Sequence, residues 1–573
     1  MAFAGGQTAL AEAAAATSVM LARVDKLLGA TPPSQILLGT GIATALGMSL
    51  AQLLYEMRGL VRRRGVLWVL FETIKALPVI RGIVAREKAK LIAEMDSDML
   101  SKNASEPPRL TALPTEGMSL KAILAEAESR QAKDSQWSTK GSMMSGAVYM
   151  ADESHFHLLC SIYSSFAHSN PLHADAFPAV VRMEVEVVSM TAELLGGGAR
   201  GANPNVCGLM TSGGTESILT ALRASRDYMR ATRGISKPEM IVCVSAHAAV
   251  YKAAEYFGIH LVRVGVDANY RMDVVAVRRA LNRNTILIYA SAPGYPHGAM
   301  DPVESLAVLA RRWGVCLHVD ACLGGFVLPF AATATAGAGE SFLAAPGTVV
   351  SIPPFDFRVD GVTSMSVDTH KYGLALKGSS VVLYSSPALR QYQYTAVMDW
   401  SGGLYISPSQ PGSRSGGLIA QTWAALVHVG RRGYEEMAGA VLRGARQLRE
   451  GISTIPGLEV FGADVTMVVA WGSLDPTLNI YVINDAMVAK GWHLSVLQAP
   501  PALHLCITSA NVSSIPQLLV DLRKAVEEVR GMGAKAAIAG GKAPIYGLAG
   551  GLPDRGVVGD LLKDIQDLML KHA

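Results

Sequence analysis

The sequence predicts an α/β fold built on a largely parallel sheet flanked by helices. From about residue 145 onward, apolar, β-branched runs alternate with helical patterns: MIVCVSA, TILIYASAP, VCLHVDA and then TSMSVDTHKYG. The informative polar residues come directly after those runs. In parallel sheets ligands sit at the carboxyl ends of the strands, so these residues are expected to converge on one crevice. The 573 residues are enough for roughly two to four domains. Half of them are hydrophobic, as in a large α/β enzyme or a protein with a membrane-embedded segment.

Charge excludes one class of function. Lys and Arg total 51 against 47 Asp and Glu, a net charge of +4, too small for the electrostatic footprint of a nucleic-acid binder. The six cysteines, Cys160, Cys207, Cys243, Cys316, Cys322 and Cys506, are scattered through apolar runs without paired metal or disulfide spacing. They read as buried thiols of a reducing compartment, and no metal site is expected.

Residues 1–35 form a tail, and 36–55, ILLGTGIATALGMSLAQLLY, is a charge-free run long enough to cross a bilayer as a helix. No basic region and cleavage site precede it, so it is expected to stay as an anchor. Arg58, Arg62, Arg63 and Arg64 follow the run, against Arg23 and Lys26 before it, which predicts a cytosolic carboxy-terminal part and a lumenal tail. Residues 56–144 then carry an apolar stretch broken near Pro78, suited to an interfacial helix, and a Pro- and Thr-containing linker over 105–117. A large domain is expected over 145–400 and a smaller carboxy-terminal domain over 401–573.

Within the large domain the sharpest motif is Ser366-Val-Asp-Thr-His-Lys371-Tyr-Gly. A lysine after a strand of apolar and small residues is desolvated, and desolvation is expected to lower its pKa until the neutral amine can form a Schiff base with an aldehyde cofactor. His370 stands immediately before it. Asp320, in Leu317-His-Val-Asp-Ala-Cys-Leu-Gly-Gly325, ends an apolar strand, where a buried carboxylate needs a cationic partner. A protonated pyridinium nitrogen is such a partner and makes the ring an electron sink. Taken singly, Asp320 could as well cap the next helix. Thr211-Ser-Gly-Gly-Thr-Glu-Ser-Ile218 opens a helix whose amides can bind a phosphate, with Gly214 allowing close approach and Thr215 offering a hydroxyl. His247 follows the next strand, where an imidazole can stack on a cofactor ring or serve as an ordinary core histidine.

The order of these motifs resembles the sphingosine-1-phosphate lyase family, within the pyridoxal-phosphate-dependent group II decarboxylases of fold type I. It runs TSGGTES, SAHAAVYKAAEYF, HVDACLGGF, and SVDTHKYG followed by Lys377-Gly-Ser-Ser380. SGAVYMAD with Tyr149, SNPLHADAFP with Asn170 and His173, and APGYPHGAMDP with Tyr295 extend the resemblance, as does the anchor. The chain departs from the pattern in an Ala- and Gly-rich insertion over about 331–353 and in LAL, where the family has a proline-containing run before Lys377.

The resemblance implies a mostly parallel seven-stranded sheet with a smaller carboxy-terminal α/β domain, and pyridoxal 5'-phosphate as cofactor. It implies that Lys371 carries that cofactor, with Gly214, Thr215, His247, Asp320 and His370 around it. It further implies a phosphorylated sphingoid base as substrate, its phosphate gathered by Tyr149, His173 and Lys377 with Asn170 nearby. Catalytic work would fall to Lys371, Tyr295, His173 and Tyr149, and the sequence does not rank Tyr295 against Lys371 for proton handling. A homodimer with shared active sites in the endoplasmic reticulum membrane is expected, and Arg414 and the Gly402-Gly403 turn would reach the neighbouring site. Two rivals remain: an amino-acid decarboxylase using the same electron sink, and an inactive membrane-tethered scaffold.

Overall fold

The computed structural model describes residues 78–103, 110–134, 140–150, 152–199, 201–331, 352–462, 466–532 and 555–572. The tail 1–35, the apolar run 36–55 and nearly all of the 331–353 insertion lie outside them. Among the described residues no helix is long and apolar enough to cross a membrane.

The chain divides into two compact units. One takes residues 1–113 with 552–573. In it the helix Pro78–Asn103 packs along the helix Arg555–His572, with Lys88 on Asp564 at 2.6 Å and Lys571 on Asp96 at 2.8 Å. This last helix, at the end of the expected carboxy-terminal domain, thus pairs with the first helix described.

The second unit, 114–551, carries the α/β core. Its seven-stranded sheet consists of β1 (Cys207–Thr211), β2 (Glu239–Cys243), β3 (His260–Val264), β4 (Thr285–Ser291), β5 (Cys316–Asp320), β6 (Ser364–Val367) and β7 (Ser380–Tyr384). The strand order is β1-β7-β6-β5-β4-β2-β3. Only β7 runs antiparallel to its neighbours, so the sheet is mostly parallel, as expected. The central strands β4 and β5 are buried along their whole length. Helices cover both faces of such a sheet, so these strands read as continuous apolar runs and not as alternating ones.

After a short antiparallel ribbon, β8 (Thr395–Val397) with β9 (Tyr405–Ser407), comes the long helix Gly416–Ser453, broken at Gly430, where φ is 60°. It leads into a second, antiparallel sheet, ordered β10 (Leu458–Val460), β11 (Val468–Ser473), β13 (Pro501–Cys506), β12 (Ser495–Gln498). The helix Ile515–Met532 packs against both Gly416–Ser453 and Ile480–Ala489. These elements belong to the same compact unit as the large sheet, which does not divide near residue 400.

Two connections carry the small sheet to the large one. Residues 141–146 hydrogen-bond along it, Ser145 N–H to His493 O and Gly146 N–H to Cys506 O, both at 2.9 Å. The Tyr295–Gly298 turn after β4 is held by His504 Nδ1 at 3.0 Å from Pro296 O and by Thr466 Oγ1 on Gly298 O at 2.9 Å. Tyr149 and Tyr295 are thereby both hung over strand β13.

Candidate active site

Lys371 and Asp320 stand just past the carboxyl end of β6 and at the end of β5, two adjacent parallel strands. Asp320 is 8 % exposed, and its Oδ2 accepts the Tyr289 hydroxyl at 2.6 Å while Oδ1 accepts the Cys322 amide at 3.0 Å. Burial pushes its carboxyl up, but the neighbouring His247 and the hydrogen bonds from Tyr289 and Cys322 outweigh that and carry it below the usual value. Asp320 is therefore a buried anion at the carboxyl end of β5, as a pyridinium partner requires. Tyr289, which orients it, is buried inside β4 in a run that reads only as apolar.

Lys371 behaves differently from the expectation. Its Nζ lies 2.7 Å from Asp368 Oδ2. Burial alone would lower its pKa, yet Asp368, Cys322 and Asp320 together raise it above the ordinary lysine value. A carboxylate three residues upstream thus reverses the expected effect of desolvation. The available signal was an acid inside an otherwise small and apolar run. Asp368 is 3 % exposed, and its Oδ1 has no hydrogen-bond partner among the described residues.

The glycine turn closes on the same spot. The helix Gly214–Arg233 begins here, and a methyl group at Gly214 would sit 2.7 Å from Asp368 Oδ1 and 2.8 Å from Cys322 Sγ. Only a residue without a side chain lets the helix amino terminus approach so closely, and that terminus favours an anion. Ser212 is tied back to Glu216 Oε2 through its N–H at 2.7 Å and its hydroxyl at 2.6 Å. Thr215 is exposed into a pocket of about 540 Å³ that Ser212, Gly378, Ser413 and Arg414 also line. His247 is exposed after β2 and accepts the Ala249 amide at 3.2 Å through Nδ1. His370 Nδ1 meets Ser379 O at 2.5 Å, and burial holds its imidazole below the ordinary value.

A larger cleft of about 1210 Å³ brings together Lys371, His370, Lys377 and Tyr149, with His155 and His428 also in its wall. Lys377 Nζ lies 4.9 Å from the Tyr149 ring centre, so the proline-free run before it still delivers the lysine to the cleft. Burial and the Lys371 charge lower the Lys377 pKa. Burial, with Cys506 and Asp368, keeps the Tyr149 phenol well above its usual value and hence a proton donor. Tyr295 is 44 % exposed, packs edge-on against His504 at 4.7 Å and donates to Ser495 Oγ at 3.4 Å.

Asn170 and His173 are not brought into that cleft within one chain. Asn170 Nδ2 donates to Ser413 Oγ at 3.1 Å and its Oδ1 accepts the Arg414 amide at 3.2 Å, which docks the loop on residues 413–414. His173 is exposed at the end of the turn that Asn170 O begins. Arg414 does not reach outward, because its guanidinium pairs with the buried Glu184, one of the two contacts at 2.9 Å.

The comparisons with known proteins agree with this geometry. Residues 109–471 match the pyridoxal-dependent decarboxylase conserved domain. The chain is 45% identical over 532 residues to a sphingosine-1-phosphate lyase of Oryza sativa subsp. japonica, covering 92% of this chain and 94% of that one. The chain belongs to the sphingosine-1-phosphate lyase family. A Mus musculus member, sphingosine-1-phosphate lyase 1, is 41% identical over 86% of this chain and 82% of its own. The solved sphingosine-1-phosphate lyase of Burkholderia pseudomallei superposes with a TM-score of 0.69 at 38% identity, covering 79% of this chain and 99% of that one. A Lactobacillus brevis glutamate decarboxylase, TM-score 0.60 at 19% identity over 75% of this chain and 98% of that one, shares the fold.

The cofactor of this lyase-family chain is pyridoxal 5'-phosphate. The residues present fit it: an anionic Asp320 for the ring nitrogen, Lys371 for attachment, and a helix amino terminus for the phosphate, left open by Gly214.

Proposed function

We propose that this chain is an aldehyde lyase that cleaves a phosphorylated long-chain base between C2 and C3, giving a fatty aldehyde and phosphoethanolamine. The observation that carries the reading is one cleft holding Lys371 together with Lys377 and Tyr149. An ammonium and a phenol O–H beside the attachment lysine suit a dianionic C1 phosphate. A decarboxylase substrate has no such group.

Bound pyridoxal phosphate supplies the electron sink for the carbon that loses its bond. Asp320, kept ionised, holds the ring nitrogen protonated. Asp368 Oδ2, 2.7 Å from Lys371 Nζ, holds the lysine in place and favours its charged form. Tyr295 and Lys371 are the groups for the C3 hydroxyl proton, Tyr295 standing on the turn that His504 holds. Asn170 and His173 would meet the substrate phosphate from the second subunit of a homodimer, a reading supported by their exposed loop.

The anchor reading belongs with this function. The run 36–55 and the arginines after it support a single-pass protein of the endoplasmic reticulum membrane with its catalytic part cytosolic. A long-chain base and a fatty aldehyde both partition into lipid.

The test compares the parent with Lys371→Ala for the absorbance of lysine-bound cofactor and for fatty aldehyde and phosphoethanolamine from sphingosine 1-phosphate. The band and both products are expected in the parent and neither in the variant. A parent with the band that releases carbon dioxide from amino acids and neither lyase product would sink the lyase reading.

A further inference from the structure

Lys371 and Lys377 are separated by Tyr372–Leu376, a run without helix or strand that has to aim both lysines into one cleft. Leu374 has φ 57°, a left-handed conformation that is unfavourable for a residue other than glycine. The run therefore needs holding from outside, and its backbone is tied at successive residues. Tyr434 donates to Gly373 O at 2.8 Å, and His155 Nε2 meets Leu374 O at 2.9 Å. The Ala375 amide reaches Thr369 O at 3.1 Å.

The tie next to Lys377 is a side chain. The Leu376 N–H donates to Gln421 Oε1 at 2.9 Å. Gln421 is fully buried in the first turns of the helix Gly416–Ser453. Its Nε2 donates to Leu418 O at 2.8 Å and to Thr422 Oγ1 at 2.9 Å, which fixes the amide so that Oε1 faces the run. A proline in this run would bring no N–H to satisfy and would set its own φ. Here the run reads Leu374-Ala375-Leu376, and the peptide N–H of Leu376 requires an acceptor.

We propose that Gln421 is a positioning residue for Lys377: by holding the Leu376 amide it fixes the residue immediately before the lysine and keeps its ammonium at the face of Tyr149. This role rests on the reading of Lys377 as a phosphate-binding group.

The experiment uses the full chain loaded with cofactor and measures KM and kcat for sphingosine 1-phosphate, inhibition by inorganic phosphate, and the lysine-bound cofactor band. Lys377→Met serves as the reference. Gln421→Ala is expected to raise KM and the phosphate inhibition constant roughly tenfold, with kcat within about twofold and the band retained. Adding Leu376→Pro removes the orphaned amide and is expected to restore most of the loss, which filling or emptying a cavity would not do. Parent-like KM in Gln421→Ala, a loss confined to kcat or cofactor, or a double variant no better than the single one would overturn the role of Gln421. An unchanged KM in Lys377→Met would instead overturn the phosphate reading on which it rests.

Discussion

Asp368 Oδ2 sits 2.7 Å from Lys371 Nζ, and the pair is walled in by Gly214 and Cys322. Burial works against the lysine's charge, and the Asp368 carboxylate, with Cys322 and Asp320 nearby, outweighs it.

Replacing Asp368 by Asn should therefore lower the Lys371 pKa, because burial is then opposed mainly by Cys322 and Asp320. With the folded-state pKa raised, the pair's stabilisation is fully present below the ordinary lysine value and is lost only as pH rises through the raised one. Near neutral pH the parent thus has the whole contribution and Asp368→Asn lacks it. Cofactor recapture by cofactor-free enzyme, followed against pH, should shift its midpoint to lower pH in the variant. An unmoved midpoint would show that Asp368 does not control the amine.

Gly214→Ala should lose cofactor. The added methyl group meets the Asp368 carboxylate and Cys322 Sγ at 2.7–2.8 Å, overpacking that typically costs about 1–3 kcal/mol. Gly213→Ala is the control, since its methyl group would lie 3.8 Å from His370 Cε1, an ordinary contact. Cofactor content after gel filtration distinguishes them; equal retention in both would contradict the crowding at Gly214.

Arg414 and Glu184 form a largely buried ion pair, and Glu184 Oε1 also accepts the Met210 amide just before the glycine turn. Arg414→Met should destabilise the fold by about 3–5 kcal/mol, since a buried carboxylate is left without its cation. Glu184→Met in the same background should recover part of that. Denaturant midpoints measure both, and additive losses would argue that the pair is uncoupled.

His297 gives the pH prediction. It is buried with neither ring nitrogen hydrogen-bonded among the described residues, packed against Tyr270 and Phe461, and burial holds its pKa down to about 4. The contribution is present above the ordinary value near 6.5 and is lost as pH falls toward 4, by roughly 3 kcal/mol at most. His297→Phe should move the acid-unfolding midpoint to lower pH and leave stability near neutral pH almost unchanged. An identical acid limb in both proteins would remove His297 as a cause.

The large sheet was legible in the chain alone, because β2, β4, β5 and β6 are short apolar runs ending in polar residues, and that pattern has few other solutions. Lys371, Asp320 and Gly214 also stood out in the chain alone, since each follows or ends a strand. Folding added what local pattern does not encode. Tyr289 looks like any other core residue of β4 until its hydroxyl meets Asp320. Gln421 lies 45 residues from the amide it holds. The raised Lys371 pKa and the separation of Asn170 from the Lys371 cleft depend on distances between side chains that no spacing rule contains. Strand periodicity is a local property of the chain; electrostatics and hydrogen-bond partners are set by which distant segments the fold brings within a few ångströms.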